Sequence, residues 1–460
     1  MNNIENAINE LKKDFKIYSD ENTLIIHSTG SIDSLKSKPD IVLYPENKYD
    51  VQKIVRIAKK YKIPLIVRGG GSSPTGAVVP LNKGIVINMK RMNKVTVSIE
   101  NGYVFCEPGI TLKELNEILK KYNFFFPPDP SSISVATVGG AVAENSGGMR
   151  CARYGTVKDW VLKVEVILAN GEITYFGEET YKNRAGYNIL DLIIGSEGTL
   201  CIVTKAWLKI MPLPKKIVRI AAFFNKIDDA ALAILNIREN GINPLILEYA
   251  DKYGIEAANK IRNFNYPVAK GGLVITDIDS YSNECNMDDL LKSVYKIFEN
   301  NHAIYIIDTD SEKEINNIME VRRIAFTSPG ILYKNFIDGD IVVPLSNIEE
   351  LLIRLNKLRT KYKNVFLSIC GHAGDGNLHP QIGYEEKYMN DALNEVLEIN
   401  RIAIDLNGTI SGEHGIGKIK NELLLEQFHK RNMDINYKFM KNIKKLFDPD
   451  DILNPGNFGL

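Results

Sequence analysis

From residue 38 onward the chain alternates short apolar runs with amphipathic stretches. The run 39–45 has the length and Pro flanks of a short strand. In 49–61 the apolar residues Val51, Ile54, Val55 and Ala58 recur at helical spacing and predict an amphipathic helix. Residues 63–68 predict a buried strand that ends in Gly69-Gly70-Gly71-Ser72-Ser73. Strands are predicted at 84–89, 96–100 and 103–109 and a helix at 112–122. The run 161–173 contains Asn170-Gly171, a strong signal for a hairpin turn. Pro212 and Pro214 predict a domain exit. A second rhythm follows, with strands at 219–224, 271–278, 303–309 and 365–370 and helices at 228–240 and 346–362. That order predicts an antiparallel sheet covered by helices on one face. Two more helical runs and a Pro-containing tail, 448–458, end the chain.

At 460 residues the chain exceeds one hydrophobic core, so three segments are expected: 1–213, 214–400 and 401–460. Lys+Arg and Asp+Glu both total 57, and without a basic excess nucleic-acid binding is not expected. The N-terminal stretch reads as a short amphipathic helix rather than a signal peptide, and no apolar run is long enough to span a bilayer. Five cysteines, Cys106, Cys151, Cys201, Cys285 and Cys370, lie far apart without a CxxC pair. This fits a reducing cytoplasm and argues against an iron–sulfur cluster or Cys-ligated zinc in this chain. The expected location is the cytoplasm, with peripheral contact at the inner membrane face and assembly into a homo-oligomer both left open.

Arg68 to Gly76 follows a buried strand. Three consecutive glycines let the backbone turn sharply and bring several N–H groups to one point, where a pyrophosphate can sit, and Ser72 and Ser73 add hydroxyl donors. The motif is neither GxGxxG nor GxxxxGK[ST], so neither a nicotinamide fingerprint nor a P-loop is supported. Further Gly/Ser/Asn-rich segments follow: Pro128, Asp129 and Ser131; Thr137, Gly139 and Gly140; Asn145, Ser146 and Gly148; Tyr154 and Gly155; and Gly195, Glu197, Gly198 and Thr199. Structural glycines explain any one of these segments and explain the set poorly.

These segments, in this order, resemble the FAD domain of the vanillyl-alcohol oxidase and p-cresol methylhydroxylase superfamily. Within it they are most similar to D-lactate dehydrogenases, D-2-hydroxyglutarate dehydrogenases and glycolate oxidase flavin subunits. The resemblance runs from about residue 38 to the end. It implies an α+β fold, with a two-part FAD-binding domain and a ferredoxin-like cap, and a C-terminal segment returning to the flavin. It also implies that Arg68 to Gly76 hold the pyrophosphate and that the other segments, with Ile202 and Asn454, line the rest of FAD. The stretch 68–148 contains no histidine, so histidyl attachment there is excluded and FAD is expected to be non-covalent.

Three of the six histidines fall in two Gly-rich motifs, 371–380 and 411–417. On one regular strand, His372 and His379 would face opposite ways. The intervening Gly-Asp-Gly-Asn is turn chemistry that folds the second back beside the first. With Glu413 they form a three-ligand set of the kind that binds zinc or manganese with open positions. A single histidine of this sort would more often be a hydrogen-bonded residue in a tight turn. The resemblance implies the same metal ligands and makes His414 the proton acceptor. It also implies that Arg322, ahead of Ala325-Phe326, pairs with a substrate carboxylate. Glu320 and Val321 stand where an aromatic often leads that motif, and Lys334 is a weaker second cation.

The expected activity is oxidation of a small D-2-hydroxy acid, D-lactate first, then glycolate or D-2-hydroxyglutarate. The electron acceptor is a quinone, an electron-transfer flavoprotein, a cytochrome, an iron–sulfur subunit or oxygen. The rival readings are a flavoenzyme resembling alkyl-dihydroxyacetone-phosphate synthase and a non-catalytic flavin subunit of a larger complex.

Overall fold

The computed structural model describes residues 3–31, 35–281 and 287–460; Cys285 lies outside them. The chain divides into two compact units, one of Met1–Gly147, Thr156–Pro212 and Glu413–Leu460, the other of Gly148–Gly155 and Leu213–Gly412. Compared with the boundaries expected from sequence, residues 148–155 group with the second unit and residues 401–412 remain in it.

In the first unit the helix Lys48–Tyr61 buries Val51, Ile54, Val55, Ile57 and Ala58. Asn47 caps it by accepting the N–H groups of Tyr49 and Asp50. This apolar stripe joins one core with a three-stranded parallel sheet, ordered Ile41–Leu43, Ile85–Asn88, Leu65–Arg68. The C-terminal tail extends the sheet: Leu65 N–H donates to the Ile452 carbonyl (2.7 Å) and Asn454 N–H to the Leu65 carbonyl (2.8 Å). A second, five-stranded antiparallel sheet runs in the order Val95–Ser98, Tyr103–Cys106, Cys201–Lys209, Val161–Leu168, Ile173–Gly177. Its last pair is the hairpin expected at Asn170-Gly171, where Gly171 has φ +81°.

The second unit is built on one antiparallel-paired sheet of eight strands. Its main path runs Ala303–Thr309, Lys216–Phe224, Gly272–Ser280, Ile246–Ala250, Phe366–His372, Asn377–Tyr384, Asn335–Asp338. Helices cover both faces, not the single face expected from sequence. Ile227–Glu239, Met287–Asn300, Ile348–Lys361 and Met389–Asp405 pack in one core, and Lys252–Arg262 and Glu312–Leu332 in another. The reason lies in the central strands: every residue of Ile246–Ala250 and of Gly272–Ser280 is buried, so both sides of the sheet must be shielded from water.

Candidate functional site

Four of the Gly-rich segments are packed together in the first unit. Arg68 closes its strand, buried, with Nη1 donating to the Thr29 carbonyl (2.6 Å). The glycines are of two kinds. A Cβ on Gly69 would stand 2.1 Å from Thr137 Oγ1, and one on Gly70 2.0 Å from the Val135 carbonyl oxygen. These glycines are needed because 135–137 presses on the loop. At Gly140 and Gly198 the nearest atom to an added Cβ is 3.4 and 3.7 Å away, ordinary contact distances that leave room for one, and Gly198 favours glycine through its φ of +71° instead. Thr137 Oγ1 caps the helix Val138–Glu144 by accepting the Gly140 N–H (3.3 Å). Gly195 N–H bonds to the Val142 carbonyl (3.0 Å) and Glu197 N–H to the Ala143 carbonyl (2.8 Å). Asn145 is committed to its own neighbourhood, its Oδ1 accepting from Thr156 Oγ1 and Lys158 N–H at 2.9 Å each. Pro128 and Ile202 are buried, Asp129 half-buried and Ser131 exposed.

Glu197 takes a role that the sequence did not suggest. Its carboxylate accepts the N–H of Ile416 (2.7 Å), the N–H of Gly417 (2.9 and 3.0 Å) and Asn457 Nδ2 (2.9 Å), while its carbonyl accepts Asn454 Nδ2 (2.6 Å). It therefore clamps the turn that follows His414. Burial pushes its pKa up against the pull of the Gly417 and Ile416 amides. Beside it, burial and the Glu197 charge raise the Glu144 carboxyl well above its usual range, and Glu144 Oε2 has no hydrogen-bond partner. Burial brings Lys418 down to about 8; its Nζ donates to the Ala77 carbonyl (3.0 Å) and Asn454 Oδ1 (3.3 Å). Gly415 has φ +83°, and a Cβ there would lie 2.6 Å from Glu144 Oε2 and 2.7 Å from Glu197 Oε1, so only glycine fits. Thr75, from the Gly-rich loop, donates Oγ1 to the His414 carbonyl (3.3 Å). His414 thus rides on a backbone held at its own carbonyl by Thr75 and, past Gly415, by Glu197.

The second unit carries the histidine hairpin. Phe366–His372 and Asn377–Tyr384 pair antiparallel with Cys370 opposite His379 and His372 opposite Asn377, around a turn at Ala373–Asp375 and Gly376 (φ +77°). His372 and His379 are therefore diagonal neighbours on one face. Their ring centroids are 5.1 Å apart at 84°. His372 Nδ1 lies 2.7 Å from Glu248 Oε1, and the other oxygen of Glu248 accepts Arg322 Nε, also at 2.7 Å. Burial raises the Glu248 carboxyl, but the charges of His372 and Arg322 and their hydrogen bonds leave it below the usual carboxylate range. Arg322 is buried on the helix Glu312–Leu332 and also donates to Cys370 Sγ (3.3 Å). Phe326, four residues on, stacks edge-to-face on His379 with centroids 5.7 Å apart. Asp340 Oδ1 lies 3.8 Å from His379 Nδ1, and its Oδ2 accepts Ser411 Oγ and Gly412 N–H, both at 2.8 Å. Glu413 is the next residue in the chain.

Gly148, Tyr154 and Gly155 belong with the second unit. The Tyr154 hydroxyl is shared with Tyr281 (2.5 Å) and Asp279 Oδ2 (3.3 Å), beside an Arg153–Asp279 ion pair at 2.7 Å. Lys334 is exposed. The sequence reading missed Glu248, Asp340, Glu144 and Lys418. For Glu248 a signal existed, a lone acid inside the apolar run 245–250; for the others no local signal exists.

The chain belongs to the FAD-linked oxidases: residues 39–177 match the model of the FAD binding domain, and residues 213–458 match that of the C-terminal domain of FAD linked oxidases. The chain is 33% identical over 438 residues to the glycolate oxidase subunit GlcD of Bacillus subtilis, covering 94% of this chain and 91% of that one. It is 32% identical over 456 residues to the D-lactate dehydrogenase of Archaeoglobus fulgidus, covering 98% of each. Among solved structures the fold matches 4-ethylphenol oxidase from Gulosibacter chungangensis, with a TM-score of 0.81 at 19% identity, covering 99% of this chain and 97% of that one. It also matches p-cresol methylhydroxylase, with a TM-score of 0.78 at 14% identity, covering 100% and 97%. The protein is an FAD-linked oxidoreductase of the D-lactate dehydrogenase and glycolate oxidase type. Among the described residues no helix is long and apolar enough to cross a membrane.

Proposed function

We propose that the protein oxidises a small D-2-hydroxy acid to the 2-oxo acid, with D-lactate the preferred candidate and glycolate and D-2-hydroxyglutarate behind it. Relatives named for D-lactate and glycolate support the substrate class. The observation that carries the chemistry is the histidine hairpin, two buried imidazoles 5.1 Å apart, one of them anchored through Nδ1 on a carboxylate. An anchored Nδ1–H puts the ring lone pair on Nε2, the arrangement typical of metal-ligating histidines. This fits a divalent cation, zinc or manganese, held by His372, His379 and Glu413. When bound, FAD supplies the acceptor for the C2 hydride, and the cation supplies the positive charge that acidifies the hydroxyl.

The remaining work falls to side chains of this protein. His414 accepts the hydroxyl proton. Arg322, oriented through Nε by Glu248, pairs with the substrate carboxylate. FAD is held without a covalent bond by the residues from Arg68 to Gly76, by Pro128, Asp129 and Ser131, by Thr137, Gly139 and Gly140, by Asn145, Ser146 and Gly148, by Tyr154 and Gly155, by Gly195, Glu197, Gly198 and Thr199, and by Ile202 and Asn454. The stretch 68–148 has no histidine to attach it. Purified protein is expected to be yellow and to release FAD into the supernatant on acid precipitation; flavin remaining in the pellet contradicts this.

The reading is tested by anaerobic bleaching of the flavin band against a panel of D- and L-2-hydroxy acids. D-lactate is expected to bleach it and L-lactate to leave it unchanged. A flavin that no hydroxy acid bleaches defeats the proposal and favours the exchange chemistry of a synthase. For the metal, chelation is expected to abolish turnover with the flavin spectrum intact, and zinc or manganese to restore it. His372→Asn is expected to lose bound metal by elemental analysis; a variant with full metal content argues against the ligand set.

A further inference from the structure

We infer that Glu248 is the positioning residue of this site, fixing the ring form of His372 with one carboxylate oxygen and the orientation of Arg322 with the other. The inference deepens the proposed function and rests on its reading of His372 as a ligand.

Glu248 sits in the strand Ile246–Ala250, all of it buried, and is itself 0% exposed. Alternation along the strand sends Leu247 and Tyr249 into one core and Ile246 into the other. Glu248 shares the Ile246 face, which is the face covered by the helix carrying Arg322. A carboxylate placed there without partners is strongly penalised, so its retention requires a compensating arrangement. That arrangement is two-sided: His372 Nδ1 at 2.7 Å on Oε1 and Arg322 Nε at 2.7 Å on Oε2. These partners lie 124 and 74 residues away in sequence, so the carboxylate joins three separate elements of the second unit.

The chemistry of the pair decides the ring form. An ionised carboxylate only accepts hydrogen bonds, so a proton of His372 sits on Nδ1, and once the ring is neutral Nε2 presents its lone pair. Arg322 Nε, which cannot lose its proton, occupies the second oxygen. One carboxylate therefore sets both the donor atom of a metal ligand and the aim of the substrate cation. In Glu248→Gln the amide offers one accepting oxygen and one donating NH2. With the oxygen kept by Arg322, the NH2 faces His372 Nδ1 and draws its lone pair, moving the ring proton to Nε2, the atom the metal needs.

The test uses the FAD-loaded protein with its metal removed. Nitrogen-resolved NMR of the histidine rings, with His372 identified by its loss in His372→Asn, is expected to show the Nδ1–H form in the wild type. In Glu248→Gln it is expected to show a shift toward Nε2–H. Zinc affinity, measured by competition with a chromophoric chelator, is expected to fall roughly 10- to 100-fold in that variant, with FAD content unchanged. Should Glu248→Gln fail to fold, Glu248→Asp, one methylene too short to reach both partners, is expected to shift the same signals in the same direction. An unchanged His372 ring signal overturns the inference, as does wild-type zinc affinity in a folded variant of a wild type that binds zinc. If the wild type binds no zinc, the metal reading fails by itself, and the ring signal, read without metal, still decides the role of Glu248.

Discussion

His414→Asn is expected to keep its FAD and its divalent metal, to bind D-lactate nearly as tightly as the wild type, and to reduce its flavin roughly 10²- to 10⁴-fold more slowly, the usual worth of a positioned general base. The expectation comes from how the residue is presented. Its carbonyl is held by Thr75, Gly415 allows the left-handed turn behind it, and Glu197 fixes the next two amides. These contacts are made to the backbone, so the variant is expected to fold and to hold cofactor. If His414 only packed the turn, the replacement would lower thermal stability and leave the reduction rate alone. Stopped-flow flavin reduction with metal content measured alongside separates these cases, and a variant reduced at the wild-type rate leaves His414 without a catalytic part.

The second large effect concerns stability. Glu395, on the helix Met389–Asp405, is 0% exposed, and neither carboxylate oxygen has a hydrogen-bond partner. Burial pushes its pKa up to about 8, against the pull of Arg359 and with a further push from Glu398. A raised carboxyl pKa favours the folded state fully only below the unfolded value near 4.5. From there to about 8 the unfolded chain ionises and the folded chain does not, so stability falls as pH rises through that window. Glu395→Gln is neutral at every pH. It is expected to match the wild type near the lower end of the window and to exceed it by about 3–5 kcal/mol at the upper end, at about 1.4 kcal/mol per unit. Urea unfolding across the window checks this; a wild type and variant with parallel pH profiles would mean that Glu395 ionises freely in the folded protein.

Much of this molecule is legible locally. The helix over Lys48–Tyr61, the hairpin at Asn170-Gly171 and the fold-back of His379 beside His372 all follow from spacing and turn chemistry within some fifteen residues. The Gly-rich segments read as a dinucleotide cradle because tight backbone approach, as at Gly69 and Gly70, requires glycine wherever the segments end up. The family resemblance rests on those same local motifs.

Other features were settled only by the folded chain. Glu197 reads in sequence as one more cradle residue, yet its carboxylate is used on amides 219 and 220 positions away. Glu248 reads as an acid in an apolar strand until its partners, 74 and 124 residues away, converge on it. The second layer of helices on the cap sheet and the grouping of 148–155 with that sheet are of the same kind. The physical reason is common to all of them. Periodicity and turn propensity act over a few residues and are written in the order of side chains. The partner of a buried charge is whichever group the packing brings within hydrogen-bond distance, and neither spacing nor composition records that distance.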